Sequence, residues 1–86
     1  MSSAGEILRR VTELTIACID DDLVQLDPDE DLAAVGLRSL DAVRLLIDLE
    51  STFSVTFPAD MIDASTFRSI RTVATAVGAL VEPEKL

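Results

Sequence analysis

The chain has 86 residues, 49% of them apolar, and its 16 acidic against 7 basic residues give a formal net charge of -9. This length suits one domain with one hydrophobic core, and the apolar content argues against disorder. The charge argues against nucleic acid or anionic membranes as partners, because their phosphates would be repelled. The absence of histidine removes the commonest general base and metal ligand, so we do not expect an enzyme.

No membrane segment or signal peptide is predicted. No apolar run approaches the roughly 20 residues that a membrane-spanning helix needs. The N-terminal segment Met1–Glu6 lacks the basic start and the apolar run of a secretory signal. We therefore expect a cytoplasmic protein, and its acidity suits protein partners that present basic patches.

The first predicted helix runs from about Ala4 to Ile19. Its apolar residues recur at spacings of three and four, which places them on one helix face. We interpret Cys18, which lies on that face, as a small buried apolar side chain and not as a reactive thiol. A single cysteine also excludes an internal disulfide. The apolar face consists of Ile7, Leu8, Val11, Leu14 and Cys18.

A long connection from Asp20 to about Arg38 follows. It contains Pro28 and Gly36, together with apolar residues that can anchor it to the core. Its acidic run Asp27–Asp31 lacks the glycine and the terminal glutamate that an EF-hand requires. We predict a solvated acidic loop and no metal site, with a weak ion-binding or regulatory site as the alternative.

The second predicted helix begins at Ser39 and ends near Thr52. We assign Ser39 as the N-cap, because a serine hydroxyl can accept a hydrogen bond from an amide of the first turn. Asp41 in that turn is favoured by the helix dipole. A wide apolar face should join the core, and a narrower stripe beside Ser39 exceeds what one buried face needs. The wide face holds Ala42, Leu45, Leu46, Leu49 and Phe53, and the stripe holds Leu40, Val43 and Ile47.

Two further helices complete the pattern. Pro58 suits the first position of a short helix that ends near Ile62. The last helix should begin after Ser69 as its N-cap and stop before Pro83. Because no segment alternates like a strand, the predicted fold class is all-α. We expect a small four-helix bundle, with three longer helices, one short helix and a long loop between helices 1 and 2. One domain should span residues 1–86, with a core of about 4–81 and a frayed tail at 82–86.

Gly36 and Ser39 frame the segment that points to chemistry. Glycine lets the backbone turn tightly just ahead of the helix. Ser39 places a primary hydroxyl at a helix N-terminus, where unpaired amides and the helix dipole favour a phosphate. Local sequence alone is also compatible with an ordinary helix cap.

The segment Val35–Val43 resembles the Gly-x-x-Ser-Leu attachment motif of acyl and peptidyl carrier proteins. The resemblance implies that a phosphopantetheinyl transferase esterifies Ser39 with 4′-phosphopantetheine from coenzyme A. The thiol of this arm would hold acyl or aminoacyl cargo as a thioester, and the carrier itself would catalyse nothing. The likeness extends from about Ile7 to Leu80, notably in Leu45–Glu50, Phe53–Pro58 and Ser69–Val77.

Further implied partners are an acyl- or aminoacyl-loading ligase or an acyltransferase, and downstream synthase or tailoring enzymes, with the carrier as a monomer. Many family members have aspartate where this chain has Arg38, and fatty-acid carriers commonly have an acid where it has Arg44. These departures suggest a dedicated partner set. The segments Leu37–Leu40 and Phe57–Met61 resemble free-standing carriers of secondary metabolism, which implies a polyketide or nonribosomal peptide type pathway. The expected partner-contact residues are Arg38, Leu40, Asp41, Val43, Arg44, Ile47 and Asp48.

Alternatives remain for several of these residues. Arg44 could be a solvated charge paired with Asp41 or Asp48. The stripe could pack against the loop or the short helix, or a non-covalent acidic helical module could use it to bind a partner's groove. A fatty-acid synthase acyl carrier is a further alternative.

Overall fold

The computed structural model describes residues 4–19 and 26–81. Three α-helices are present, α1 (Ala4–Ile19), α2 (Ser39–Phe53) and α3 (Ile70–Val81), and a 3-10 helix (Ala59–Met61) lies between α2 and α3. These two ranges contain no strand, so the all-α class is confirmed. The expected short helix is a single 3-10 turn. The first part of the loop, residues 20–25, and the tail at 82–86 lie outside the described residues.

One hydrophobic cluster lies between the three helices. α1 packs against both α2 and α3, whereas α2 and α3 contact each other much less. Leu45 and Leu49 of α2 are completely buried, which confirms the wide apolar face. Leu46 and Phe53 lie partly buried at the edge of the same cluster. The packing leaves the N-terminal part of α2 bordered by the loop and by the segment that precedes α3.

The connection before α2 is tied to the start of α3. The N–H of Leu32 donates to the carbonyl of Arg68 (2.8 Å), and the N–H of Arg71 donates to the carbonyl of Pro28 (2.9 Å). Leu32 is fully buried, and Nε of Arg71 lies 2.6 Å from Oδ1 of Asp29. The hydrogen bond from Arg71 holds the pKa of Asp29 below its ordinary value. As predicted, apolar contacts anchor this part of the loop.

Cys18 is buried, as predicted, and its Sγ lies 3.9 Å from Oδ2 of Asp48. Burial raises the pKa of the Cys18 thiol above its ordinary value of 9.0, and the negative charge of Asp48 raises it further. The thiol therefore stays protonated at neutral pH and links α1 to α2.

The start of α2 differs from the prediction. Arg38, and not Ser39, occupies the N-cap, and Ser39 is the first helical residue. Asp41 is the third residue of α2, and its Oδ2 accepts a hydrogen bond from the N–H of Arg38 (3.0 Å). This contact fixes the backbone where the chain enters the helix. The serine hydroxyl is thus not needed as a cap.

The N-cap prediction for α3 is confirmed. Oγ of Ser69 accepts a hydrogen bond from the N–H of Thr72 (3.2 Å), and Oγ1 of Thr72 accepts one from the N–H of Ser69 (3.0 Å). No helix within residues 4–19 and 26–81 has the length and apolar character to cross a bilayer.

Candidate functional site

Ser39 stands exposed at the first position of a 15-residue helix. Its hydroxyl has no hydrogen-bond partner among the residues that the structure describes. The N–H groups of Ser39, Leu40 and Asp41 likewise have no backbone acceptor in that part of the chain, because a helix leaves the amides of its first turn unpaired. An exposed hydroxyl and three amides without a backbone acceptor in the described ranges therefore share the positive end of α2.

A tight turn brings the chain to this position. Gly36 has a φ of 112°, a conformation that side chains with a Cβ rarely adopt. A Cβ at Gly36 would lie 3.5 Å from Cγ2 of Ile19, an ordinary contact, so the backbone and not the space requires glycine. The N–H of Leu37 donates to the carbonyl of Leu32 (2.9 Å), which closes the turn just before Ser39.

Ser39 lies on the border of two open grooves. The first, named here the arginine groove, has a volume of about 520 Å³ and is bordered by Arg38 and Arg68. The second, the apolar groove, has a volume of about 300 Å³ and is lined by Val43 and Leu46. Ser39, Ala42, Ala64 and Phe67 line both grooves.

The narrow stripe of α2 is a solvent-facing surface. Leu40 exposes 79% of its surface, Val43 52% and Ile47 58%, and Ile62 adds a neighbouring apolar side chain that exposes 45%. The alternative in which the short helix covers this stripe is therefore wrong. The exposure of Ile62 was not predicted from the sequence, and this residue lies just after the 3-10 helix as its C-cap.

The charged candidates divide into two groups. Arg38 and Arg44 are exposed, and Arg44 forms no salt bridge with any described residue. Asp41 lies 3.8 Å from Nε of Arg38, and Asp48 contacts Cys18. Both carboxylates are half-buried and already have partners in the fold, and the alternative in which Arg44 pairs with one of them is not observed.

The carboxylates of the acidic loop stabilise turns. Oδ1 of Asp27 accepts a hydrogen bond from the N–H of Asp29 (2.9 Å), and Oδ1 of Asp31 accepts one from the N–H of Ala33 (3.0 Å). Within the described ranges, no group of three or more cysteine or acidic side chains is placed to hold a metal ion.

Comparison with known sequences gives relatives along most of the chain. Residues 6–77 match the family described as "Phosphopantetheine attachment site". Aminoacyl carrier protein 1 of Bradyrhizobium diazoefficiens is 28% identical over 80 residues, which cover 91% of this chain and 89% of the relative. The aminoacyl carrier protein of Agrobacterium fabrum is 30% identical over 54 residues, or 63% of this chain and 65% of the relative.

Two solved structures share the fold. One is the crystal structure of Bradyrhizobium japonicum glycine:[carrier protein] ligase complexed with glycylated carrier protein, in which the matched chain gives a TM-score of 0.74 at 27% identity. The other contains that ligase with its cognate carrier protein and an analogue of glycyl adenylate, with a TM-score of 0.76 at 27% identity. The matches cover 81% and 85% of this chain, and 96% of each matched chain.

The site and the family match agree with each other. The hydroxyl of Ser39 is exposed, has no partner among the described residues and borders two open grooves. The matched range includes all of α2 and the loop that presents it. Carrier domains of this kind hold groups for other enzymes and do not transform them. The chain belongs to the phosphopantetheine-attachment family of carrier proteins.

Proposed function

We propose that this chain is an aminoacyl carrier and that Ser39 is its attachment residue. One observation carries the assignment within the family. The hydroxyl of Ser39 is exposed at the head of α2 and has no partner among the described residues. A transferase can therefore reach this oxygen without breaking a hydrogen bond of the described fold.

The attachment step that we propose uses this oxygen. A phosphopantetheinyl transferase joins Oγ of Ser39 to the phosphorus of the pantetheine side of coenzyme A. The phosphoanhydride bond breaks, adenosine 3′,5′-bisphosphate leaves and the serine proton is released. The unpaired amides of Ser39, Leu40 and Asp41 then lie beside the phosphodiester, where the helix end favours negative charge. The attached arm supplies a thiol that holds the cargo as a thioester.

The relatives support an amino acid as the cargo. Both sequence relatives are named aminoacyl carrier proteins, and both solved structures contain a glycine:[carrier protein] ligase. We therefore take glycine as the first amino acid to test and an aminoacyl-loading ligase as the loading partner. A role in polyketide or nonribosomal peptide secondary metabolism, with downstream synthase or tailoring enzymes, stays a prediction.

The exposed stripe of α2 is the proposed contact surface for that ligase. Leu40 lies next to Ser39 and is the most exposed of the large apolar side chains. Val43 and Ile47 continue the stripe along the helix, and Arg44, which forms no salt bridge with a described residue, follows Val43. Large exposed apolar side chains mark contact sites in small proteins. Arg44 would then select a partner that presents a carboxylate at this point.

The attachment is tested by intact mass. The full chain is incubated with coenzyme A, Mg²⁺ and a broad-specificity phosphopantetheinyl transferase. We expect the wild type and Ser51→Ala to gain one phosphopantetheine group, and Ser39→Ala to gain none. Ser51 is the matched control, because it is an exposed serine near the other end of the same helix. An arm on Ser39→Ala, or no arm on the wild type with several transferases, would refute Ser39 as the attachment residue.

The cargo is tested on the loaded protein. The holo form is incubated with ATP, the Bradyrhizobium japonicum ligase and glycine, and then with each other amino acid in turn. We expect a mass increase of one aminoacyl residue that hydroxylamine removes, as a thioester requires. An intact arm that accepts acyl groups from an acyltransferase but no amino acid from the ligase would favour the acyl alternative.

A further inference from the structure

We propose that Arg38 and Arg68 form a cradle, in the arginine groove, for the phosphodiester of the arm. The inference rests on attachment at Ser39 and assigns a function to Arg68, which belongs to neither the stripe nor α2. Arg38 and Arg68 line the same groove as Ser39, and each ends in an exposed guanidinium. A phosphate bonded to Oγ of Ser39 would begin at the rim of that groove.

The backbone of Arg68 is fixed on both sides. Its carbonyl accepts the N–H of buried Leu32 at 2.8 Å. On one side, the ring centroid of Phe67 lies 6.1 Å from that of Phe57. On the other side, Ser69 is the buried N-cap of α3. The side chain of Arg68 forms no salt bridge with any described residue. The backbone of Arg68 is therefore held in place, and the N–H donors of its guanidinium are available to a ligand.

Arg38 is anchored in the same way but keeps most of its donors. Its N–H is bonded to Asp41, whereas its side chain is 88% exposed. Among the described residues, Arg38 forms a salt bridge with Asp41 alone, and Oδ2 of Asp41 lies 3.8 Å from its Nε, which exceeds a strong hydrogen-bond distance. A guanidinium carries five N–H donors, so the terminal nitrogens remain available for a phosphate.

The charges favour an anion here despite the acidity of the chain. Arg9 is paired with Glu13, and Arg71 with Asp29. In the arginine groove, two arginines face one carboxylate, Asp31, whose Oδ1 is bonded to the N–H of Ala33. Asp31 opposes an anion on its own side, and Asp41 offsets part of the charge of Arg38, but two guanidiniums still stand against one carboxylate in the lining of the groove. Guanidinium groups match phosphate oxygens well, and a tethered phosphate has a high effective concentration.

The prediction is tested by NMR on the full-length apo and holo forms of four proteins, namely wild type, Arg68→Gln, Arg68→Lys and Arg10→Gln. Arg10 is the matched control, because it is an exposed arginine on α1 outside the groove lining. The phosphorus signal is present only in the holo forms and is compared among them. In the wild type, attachment should shift the amide signals of Ala64, Ser65 and Arg68. Arg68→Gln should remove about half of these shifts, since one of two guanidiniums is lost. Arg68→Lys should retain most of them.

Salt provides a second readout. Raising the ionic strength to about 1 M shortens the Debye length to about 3 Å, and the shifts at Ala64 and Ser65 should then shrink in the wild type. Unchanged shifts in Arg68→Gln would overturn the cradle. The cradle would also be overturned if Arg68→Gln keeps the wild-type shifts but is loaded more slowly by the ligase, because Arg68 would then contact the protein partner. Intact mass separates the two proposals, because an unmodified wild type refutes the attachment itself.

Discussion

Cys18 connects α1 and α2 through a contact between its Sγ and Oδ2 of Asp48 at 3.9 Å. The contact makes the thiol a weak acid for two reasons. Burial disfavours the thiolate, and the neighbouring carboxylate repels it. The thiolate is the reactive form of cysteine, so Cys18 should be unreactive in the folded protein. Because it is the only cysteine in the chain, its reactivity can be measured directly.

We predict that iodoacetamide alkylates Cys18 far more slowly in the native protein than in urea at about pH 8. Asp48→Asn should speed the native reaction, because it removes a negative charge that raises the thiol pKa. The rate is followed by intact mass, with Asp60→Asn, an exposed aspartate in the 3-10 helix, as the control. Equal rates in native and unfolded protein would contradict a buried thiol.

The same pKa shift has a consequence for stability. The folded state holds the Cys18 proton more tightly than the unfolded state, whose thiol titrates near the ordinary value of 9.0. Above about that pH the unfolded chain therefore binds fewer protons than the folded one. The free energy of unfolding should fall as pH rises past this point, and Cys18→Ala should lose this part of the pH dependence.

Ser39 shows where local sequence reasoning stops. Serine is among the best N-cap residues and arginine lacks an acceptor, so the sequence favours Ser39 as the cap. In the structure Asp41 reaches back to the N–H of Arg38 and holds the entrance of α2. The helix therefore starts with its serine unused. The attachment motif still points to Ser39, because it does not depend on which residue caps the helix.

The helix α2 has two apolar faces with different tasks, and its residues separate them cleanly. Leu45 is completely buried, whereas Leu40 exposes 79% of its surface. Leu45→Ala should destabilise the protein by about 2–5 kcal/mol, as deletion of a buried leucine side chain does. Leu40→Ala should change the free energy of unfolding by less than about 0.5 kcal/mol. Urea unfolding followed by circular dichroism measures both.

Loading kinetics complete this comparison. Leu40→Ala should accept the arm at the normal rate but receive the aminoacyl group from the ligase more slowly. Ala79→Ser, a change at an exposed position of α3, serves as the control. If Leu40→Ala is loaded as fast as the wild type, Leu40 does not contact the ligase.

The first turn of α3 depends on a reciprocal cap. Ser69 is buried, and its Oγ accepts the N–H of Thr72 while Thr72 accepts the N–H of Ser69. Ser69→Ala should therefore cost about 0.5–2 kcal/mol in urea unfolding. Ser54→Ala is unsuitable as a control because Ser54 has a φ of 56°, so Ser51→Ala is used, with a change near zero expected. If Ser51→Ala lowers the free energy of unfolding by a similar amount, the effect of Ser69→Ala comes from replacing a serine and not from losing the cap.

Element boundaries were predictable where the periodicity was strong. α1 has the predicted bounds, because Ile7, Val11 and Cys18 mark one face along its whole length. The path of the loop was not predictable. Its tethers join Leu32 to Arg68 and Pro28 to Arg71, and no local pattern reports contacts between residues so far apart in sequence. The arginine groove was missed for the same reason, since Arg68 meets Ser39 only in the folded chain.

The charge of the whole molecule acts against its compactness. Sixteen acidic residues against seven basic ones leave an excess of negative charge that repels itself in the folded state. The observed ion pairs Arg9–Glu13, Arg71–Asp29 and Arg38–Asp41 include largely exposed side chains. Such pairs contribute only about 0–1 kcal/mol each. Added salt should therefore stabilise the fold, because it weakens the repulsion between the acidic residues more than it weakens these ion pairs.

We predict that the melting temperature rises when NaCl is raised from about 0.01 M to about 1 M, which shortens the Debye length from about 30 Å to about 3 Å. Each kcal/mol of repulsion removed should add about 4–8 °C in a chain of this size. Calorimetry measures the effect, and an uncharged osmolyte of equal osmolality is the control for general solute effects. A lower melting temperature at high salt would mean that the ion pairs dominate.

Gly36 has a consequence for the reach of the arm. Its φ of 112° sets the direction in which the chain enters α2, three residues before Ser39. An arm attached to Ser39, as proposed, would pivot on an oxygen whose position follows from how the chain enters α2. Gly36→Ala would strain the backbone, because a residue with a Cβ rarely adopts this φ. The added Cβ itself would not clash, since its nearest neighbour, Cγ2 of Ile19, would lie at 3.5 Å. The substitution would therefore change where the cargo is delivered while leaving the attachment chemistry intact.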